Sequence, residues 1–303
     1  MILGDLGDGV AGQLASHQGL RLRAGPFTFC LQSSEPAVAK SLQLLYDQFP
    51  LVGSAEFIDF YVRVSRVPGL RRYLRPQVRF ELDGRIPFKP LPFDQAFPLL
   101  EWGMNWSISA HAHQYLILHA AVLEKNGRAL VMPAPPGSGK STLCAALAFR
   151  GWRLLSDELT LIDRSSGAVI GLARPVSLKN ASIDVIRAFL HNPVMTEAVH
   201  DTSKGSVAHL RAPEASVRES QAVALPAWVV FPKYVADSPL RSHKTSKAQA
   251  FMRLADQAFN YSLLGAEGFE LLAGIVDRCG TYEFSYGDLD EAVGWFAGLE
   301  VSS

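Results

Sequence analysis

The sequence predicts an α/β protein that carries a β-rich module at its N-terminus. Three observations predict this class. The second half alternates apolar strands with helices. Within it, a glycine-rich loop joins an apolar strand to a helix at residues 129–150. The first part instead contains short runs with the two-residue alternation of strands. We therefore place residues 1–110 in a β-rich N-terminal module and residues 111–303 in an α/β domain.

The composition is that of a folded protein, with 48% hydrophobic and 19% charged residues in a chain of 303. Lys and Arg together number 29, as do Asp and Glu, so no net charge attracts nucleic acid or an anionic membrane. We expect neither as a partner, whereas a homo-oligomer is left open. No apolar run is long enough to span a bilayer, and the N-terminus lacks the pattern of a signal peptide.

Cysteine usage points to a reducing compartment. The three cysteines, Cys30, Cys144 and Cys279, lie far apart and form no Cys-x-x-Cys pair. An odd number without a spacing pattern is typical of a cytoplasmic protein without a zinc site. We therefore expect a cytoplasmic location.

The first module should contain one hairpin and one helix of note. Val78–Leu82 and Arg85–Phe88 flank Asp83-Gly84, which predicts a type I′ turn whose second arm is an edge strand. Residues 99–114 predict a helix with Trp102 and Trp106 on one face. This pair either packs in the core, which we favour, or offers a stacking surface to a base.

The glycine-rich loop carries most of the functional information. Its pattern is that of a phosphate-binding loop with alanine in place of the first glycine, formed by Ala134, Pro135, Pro136, Gly137, Ser138, Gly139, Lys140, Ser141 and Thr142. The glycines let backbone N–H groups turn toward a β-phosphate. The lysine supplies a cation to the β- and γ-oxygens, and the serine hydroxyl is a ligand for Mg²⁺. A helix over residues 141–150 should follow. We predict a nucleoside polyphosphate site.

A histidine precedes this loop in the strand 115–123. Asn126-Gly127 predicts a two-residue hairpin in which Lys125 pairs with Arg128. This register places His119 opposite Ala134, the first residue of the loop. His119 is then either a core histidine or a residue beside the γ-phosphate, and both interpretations stay open.

Two adjacent acids follow the loop helix in a strand predicted over residues 153–163. A phosphate-loop enzyme needs an acid near Mg²⁺, and a kinase benefits from another that accepts the proton of the attacking hydroxyl. Neighbouring strand residues point to opposite faces. Only Asp157 or Glu158 should therefore face the nucleotide, unless a bulge redirects one of them.

Further cations extend the predicted site. Arg174 and Lys179 follow the end of a short strand, where they could neutralise γ-phosphate charge. A polar stretch predicts either a mobile loop over the site or a solvated basic loop, and its cations are Lys204, His209 and Arg211. The segment 241–247 is interpreted as a surface loop in preference to a phosphate clamp.

The segment from His119 through the loop to Asp157-Glu158 resembles the catalytic domain of bacterial HPr kinase/phosphorylase, and most closely its HPr kinase-related kinase A branch. The resemblance implies a P-loop kinase core of the HPr-kinase/PEP-carboxykinase-like type. It implies that Asp157 is the proton-accepting base, that His119 assists and that Lys140 acts on the phosphates. It further implies a metal site formed by Ser141, Glu158 and Asp157, with ATP and Mg²⁺ as cofactors.

The chain departs from this family at two positions. It has no Glu-x-Arg-Gly-x-Gly string, which is tied to phosphorolysis, and Glu158 stands where the family has Asp. We therefore predict only the kinase reaction, in which the γ-phosphate of ATP moves to a hydroxyl. The family-implied acceptor is a serine of a protein or peptide, and a small molecule is also credible. The alternatives are a nucleotide-binding regulatory module and an NTPase without phosphotransfer.

Overall fold

The computed structural model describes residues 1–69 and 74–299. Strands in chain order are β1 (Leu20–Ala24), β2 (Phe27–Ser33), β3 (Phe60–Arg66), β4 (Gln77–Leu82), β5 (Leu91–Pro92), β6 (Tyr115–Lys125), β7 (Arg128–Pro133), β8 (Arg153–Ser156), β9 (Leu159–Asp163), β10 (Val169–Ile170), β11 (Val176–Lys179), β12 (Val199–Thr202), β13 (Gly205–Leu210), β14 (Leu225–Tyr234), β15 (Arg241–Lys244) and β16 (Gly280–Tyr286). The α-helices are α1 (Gly9–Ala15), α2 (Pro36–Leu45), α3 (Ala96–His111), α4 (Lys140–Ala148), α5 (Ala181–Phe189), α6 (Glu214–Arg218), α7 (Lys247–Asp256), α8 (Tyr261–Leu264), α9 (Ala266–Arg278) and α10 (Leu289–Ala297).

These elements form a mixed α/β protein, as the sequence predicts. The largest sheet has the strand order β10-β9-β6-β7-β14-β16-β15, with β8 also paired to β6. Its centre is parallel, because β14 pairs in parallel with both β7 and β16. The strands β1 to β5 form a second sheet in chain order, and β11-β13-β12 form a third. No described helix is both long and apolar enough to cross a bilayer.

Helices cover both faces of the largest sheet. Side chains alternate along β7, so that Leu130 and Met132 face the core that contains α4. Ala129 and Val131 face the opposite core, which is built with residues of α7 and α9. The sheet is therefore the middle layer, and the loop between β7 and α4 opens at the carboxyl ends of the parallel strands, where ligands of α/β proteins bind.

The first core is continuous with the N-terminal segment. It contains residues of β4 and α3, such as Phe80 and Leu100, together with Leu143 of α4. Helix α3 packs against the N-terminal sheet at Gly103, where a Cβ atom would come within 2.0 Å of the Phe80 ring. The helix backbone therefore approaches the sheet closely. This contact determines which face of α3 points away from the N-terminal sheet, and that face is called its outward face.

The hairpin before the phosphate loop has the predicted register. Asn126 and Gly127 have φ angles of 54° and 76°, as a type I′ turn requires. The β6–β7 ladder runs from Lys125–Arg128 to Ala120–Pro133 and stops one pair before His119 and Ala134. On its other edge β6 pairs His119 with Leu159.

Two predicted strands are wrong in detail. Asp83 and Gly84 do have positive φ angles, but the second arm of that hairpin forms only a single bridge between Leu82 and Arg85. The second arm does not continue as a strand, because Pro87 lacks the N–H that a ladder needs. The chain then returns to β4 through the short strand β5.

The strand predicted over residues 153–163 is interrupted at the two acids. The pairing of β8 with β6 shifts register between Val122 and Leu123, which leaves one extra residue on the β8 side. The chain then bends at Asp157 and Glu158 before β9 begins. Regular alternation is therefore lost at the place where it would have sent the two carboxylates to opposite faces.

The close contact of α3 yields a stability prediction. Gly103→Ala should destabilise the protein by about 1–3 kcal/mol, because the new methyl group overlaps the Phe80 ring. Gly294→Ala in α10 is the matched control, since a Cβ atom added there would meet no atom within 4 Å and alanine is the better helix former. Urea unfolding of both variants measures the difference, and a neutral Gly103→Ala would show that α3 is free to shift.

Candidate active site

The phosphate loop has the backbone conformation that its glycines predict. Gly137 and Gly139 both have a φ angle of 84°, in the left-handed region that favours glycine. A Cβ atom on Gly139 would come within 2.6 Å of the Tyr286 hydroxyl and within 2.8 Å of Tyr234 Cβ. Gly139 also precedes the first residue of α4, so its conformation sets the direction in which the helix begins.

The loop is tied to the ends of two neighbouring parallel strands. The backbone N–H of Tyr234, the last residue of β14, donates to the carbonyl of Ser138 at 2.8 Å. The Tyr286 hydroxyl, at the end of β16, donates to the carbonyl of Gly139 at 3.0 Å. Pro135, Pro136 and Gly137 remain exposed at the mouth of the loop. The loop is thus anchored at its base and open toward solvent.

Lys140 points from the first turn of α4 toward the acid pair. Its side chain is buried, with 6% of the residue exposed, and Nζ donates to the carbonyl oxygen of Asp157 at 3.2 Å. The loop cation therefore contacts the backbone of the first acid.

Asp157 is buried among groups that only partly satisfy its carboxylate. Oδ2 accepts a hydrogen bond from the backbone N–H of Ser177 at 3.3 Å, and Oδ1 accepts none from any described residue. Burial raises the pKa of Asp157, and the neighbouring charge of Glu158 adds to this, while Lys140 and the Ser141 hydroxyl oppose it. The carboxyl therefore binds a proton more readily than an exposed aspartate.

Glu158 has the opposite electrostatic environment. Its Oε1 accepts from Lys179 Nζ at 3.2 Å, and its Oε2 accepts from Asn105 Nδ2 at 3.3 Å. Burial alone would raise the pKa of Glu158, but Lys179, Lys140 and Lys204 outweigh it and lower the pKa to about 2. Glu158 is therefore ionised at any physiological pH.

His119 lies at the margin of this group. Its backbone N–H donates to the carbonyl of Gln257 at 2.7 Å, and its ring centroid lies 6.0 Å from that of Phe259. Burial, followed by the charge of Lys140, lowers the pKa of His119 to about 4. The imidazole is therefore neutral at pH 7, and its electrostatic neighbours are those of the phosphate loop and the acid pair.

Arg174 is engaged by the N-terminal segment. It is buried, and Nη2 forms an ion pair with Glu101 Oε2 at 2.6 Å. Nη1 donates to Asn105 Oδ1 at 2.7 Å, and Nε donates to the Tyr46 hydroxyl at 3.2 Å. Each guanidinium nitrogen thus has a protein partner, which differs from the role at the γ-phosphate that the sequence suggests. The geometry assigns Arg174 to the support of α3.

The predicted basic loop at residues 204–211 is instead an ordered hairpin, because β12 and β13 pair in the third sheet. Lys204 lies in its turn, with Nζ 5.1 Å from the centre of the Trp102 ring. His209 is buried in β13, with its ring edge-on to Phe97, and Arg211 forms an ion pair with Asp47 at 2.8 Å. Only Lys204 of these three cations contributes charge near the phosphate loop.

The other basic segment, residues 241–247, begins in the edge strand β15. Residues 241–244 form β15 at the far edge of the largest sheet, and all four are exposed. Lys247 instead donates to the carbonyls of Val276 and Cys279 at the end of α9. The segment therefore lies at the surface, as predicted, but residues 241–244 form a strand where a loop was expected.

Helix α3 contributes residues that sequence reasoning missed. Glu101 and Asn105 are four residues apart, so they lie on one face, and both contact Arg174. The available signal was this pair of polar side chains within the mostly apolar stretch before Ser107. Trp102 and Trp106 differ in their surroundings, since Trp106 packs edge-on against Phe88 while Trp102 borders the acid pair.

A cavity of about 20 Å³ separates α3 from the acid pair. Its walls combine the outward face of α3, the bend between β8 and β9, and the start of β11. Its lining includes Trp102, Asn105, Asp157, Glu158, Ser177 and His209.

The donor set around the loop fits Mg²⁺ in part. Ser141, Asp157 and Glu158 supply oxygen atoms, which Mg²⁺ prefers, and Asp157 Oδ1 is still available for a further contact. No group of three or more His, Cys, Asp or Glu side chains converges on one point in the described part of the chain. The protein by itself therefore offers few ligands, as is usual for Mg²⁺ bound together with a polyphosphate.

Comparison with known protein families gives a match over part of the chain. The family model described as SynChlorMet cassette protein ScmC matches residues 101–172. The matched segment includes most of α3, the phosphate loop and the acid pair, but it covers less than half of the chain. No curated protein matches the sequence.

The ion pair of Glu158 gives a pH prediction. A carboxyl whose folded-state pKa is lowered stabilises the fold above its usual pKa of about 4.3, and this stabilisation is lost as pH falls toward 2. Lys179→Met should therefore cost about 0.5–1 kcal/mol at pH 7, and the deficit should shrink at pH 3. Lys244→Met, at an exposed site on β15, is the control. An equal deficit at both pH values would contradict the assigned pairing.

Proposed function

We propose that the protein is an ATP-dependent kinase with an HPr-kinase-like P-loop core, which transfers the γ-phosphate to a hydroxyl acceptor. The observation that carries the proposal is the contact between the loop cation and the backbone of a residue whose carboxylate is buried. Lys140 Nζ lies 3.2 Å from the Asp157 carbonyl, while Asp157 Oδ1 makes no hydrogen bond with the described residues. A phosphate-binding group and a buried acid with one unpaired carboxylate oxygen are thus adjacent.

The loop supplies the groups that bind a polyphosphate. The first N–H groups of α4 have no partners within the helix, and the positive end of the helix dipole lies at the same place. Lys140 adds a full charge, and Gly137 and Gly139 allow the backbone to approach the phosphates closely. This combination supports ATP binding at the edge formed by β7 and β14.

The acid pair divides into two roles in this proposal. Asp157 has a raised pKa, which suits a group that must accept a proton near neutral pH. Glu158 stays ionised, which suits a group that would hold Mg²⁺ together with Ser141. When bound, Mg²⁺ neutralises charge on the β- and γ-phosphates.

The transfer step then balances with these residues. The acceptor oxygen forms a bond to the γ-phosphorus, the bond from that phosphorus to the β,γ-bridging oxygen breaks, and ADP leaves. The hydroxyl proton moves to Asp157. Lys140 stabilises the charge on the phosphates, and neutral His119 provides a hydrogen-bonding group at the edge of the site.

The cellular setting that we propose is the cytoplasm. Cys30, Cys144 and Cys279 are all buried free thiols. Free thiols without disulfides are the usual state in a reducing compartment.

The acid pair provides the main test of the kinase proposal. Asp157→Asn keeps the side-chain shape but removes the base, so phosphotransfer should fall by about 10²–10⁴-fold while ATP still binds. Glu158→Gln should instead raise the Mg²⁺ concentration needed for half-maximal turnover. Labelled ATP measures phosphotransfer, a Mg²⁺ titration measures the Mg²⁺ requirement, and calorimetry measures ATP affinity. Near-native transfer by both variants would contradict the mechanism, and label released only as inorganic phosphate would indicate an NTPase.

The nucleotide site has an independent test. Lys140→Ala should weaken ATP binding by about tenfold or more, because it removes a charge-assisted contact to the phosphates. His119→Ala should lower turnover more than ATP affinity. Lys244→Ala, at an exposed position on the edge strand β15, is the control cation. Unchanged ATP affinity of Lys140→Ala in calorimetry would refute the assignment of the phosphate loop.

A further inference from the structure

The cavity between α3 and the acid pair is lined by polar atoms without partners. Within the described part of the chain, four buried atoms of its lining make no hydrogen bond: Trp102 Nε1, Asp157 Oδ1, Ser177 Oγ and His209 Nε2. They come from α3, the β8–β9 bend, β11 and β13. Residues of four distant segments that carry unsatisfied groups therefore line one small space.

Such an arrangement is energetically unfavourable unless something occupies the space. Leaving a buried donor or acceptor unpaired costs about 1–3 kcal/mol for each group. The indole N–H can only donate and an ionised carboxylate can only accept, whereas the serine hydroxyl and the neutral imidazole can each do either. An occupant that both donates and accepts hydrogen bonds matches this set. A hydroxyl group has both capacities.

The size and position of the cavity define the occupant further. A volume of about 20 Å³ accommodates one water-sized group and excludes an aromatic ring. The cavity lies near the surface of the protein, because Trp102, Asn105 and Glu158 in its lining are only partly buried. Lys204 and Lys179 flank these residues.

We propose that this cavity is the acceptor subsite, in which Trp102, Ser177 and His209 bind the hydroxyl of a primary aliphatic alcohol and direct it to Asp157. The proposal rests on the proposed kinase function and adds its specificity-determining residues. Trp102 donates to the acceptor oxygen, and Asp157 Oδ1 receives the hydroxyl proton as the oxygen bonds to the γ-phosphorus. The hydroxymethyl tip of a serine side chain fits, whereas a phenol does not.

The subsite also gives the N-terminal segment a part in the reaction. Trp102 lies on α3, whose position depends on Gly103 against Phe80 and on the ion pair between Glu101 and Arg174. The phosphate loop thus binds the nucleotide with residues of the second half of the chain, while the first half supplies a wall for the acceptor.

The test uses L-serine as the probe, with L-alanine and L-tyrosine as probes that lack an aliphatic hydroxyl. Purified full-length protein is incubated with γ-labelled ATP, Mg²⁺ and each probe, and ATP affinity is measured separately by calorimetry. Label should reach L-serine and neither of the other two. Trp102→Phe and Ser177→Ala should each raise the KM for L-serine about threefold to tenfold, with little change in kcat or ATP affinity.

Trp106→Phe is the matched control, because it makes the same change one helical turn away, where the ring packs on Phe88. It should leave KM unchanged. The proposal is overturned if Trp102→Phe and Ser177→Ala match the wild type in KM, or if L-tyrosine is labelled as well as L-serine. Release of phosphate with no label on L-serine at any concentration means that the cavity holds only water, which also overturns it.

The same measurements separate this inference from the kinase proposal. If the wild-type protein binds ATP in calorimetry and loses that binding in Lys140→Ala, the nucleotide site stands whatever happens with L-serine. If it does not bind ATP, the proposed function itself fails, and the subsite fails with it.

Discussion

The buried ion pair between Arg174 and Glu101 is the interaction on which the candidate site depends. Both side chains are almost fully buried, with 6% and 4% of their surfaces exposed. Two charges removed from water are tolerated only when their remaining donors and acceptors are satisfied. Tyr46 and Asn105 meet this requirement, since the Tyr46 hydroxyl donates to Glu101 Oε1 at 2.6 Å and Asn105 accepts from Arg174. The pair thereby fixes α2, α3 and the start of β11 relative to one another.

The consequences of this ion pair extend to the acids. Asn105 uses its carbonyl for Arg174 and its amide for Glu158, so the orientation of its side chain is determined by both partners. Glu158 in turn binds Lys179. Tyr46 and α3 are therefore connected to the acid pair by a series of hydrogen bonds through Arg174 and Asn105. Loss of one member leaves a charge without its counterpart, which is more damaging than loss of a surface ion pair.

The two acids are adjacent in the chain but lie in different chemical environments. Asp157 and Glu158 are neighbours, yet burial raises the pKa of the first and surrounding lysines lower that of the second to about 2. Adjacent carboxyls with pKa values shifted in opposite directions are the arrangement from which acid–base roles are assigned in enzymes. Here the cause is geometric, because Lys179 Nζ reaches the carboxylate of Glu158, whereas burial dominates at Asp157.

Local sequence determined the phosphate loop, the helix after it and the register of the hairpin before it. These features depend on residues close in the chain: glycines where φ is positive, and Asn126-Gly127 where a type I′ turn is needed. The nucleotide and metal roles of the loop and the acids remain predictions that rest on this local pattern.

Only the tertiary structure decided which cations and polar groups surround the acids. Arg174 follows a strand end, as a phosphate ligand would, but Glu101, 73 positions away in sequence, holds it. The segment with Lys204 and His209 has the composition of a loop, yet it forms a hairpin whose second strand also pairs with the distant β11. The bend at Asp157 and the cavity beside Trp102 likewise depend on pairing and packing between distant segments. Residue periodicity describes one element at a time, so it contains no information about which faces of distant elements meet.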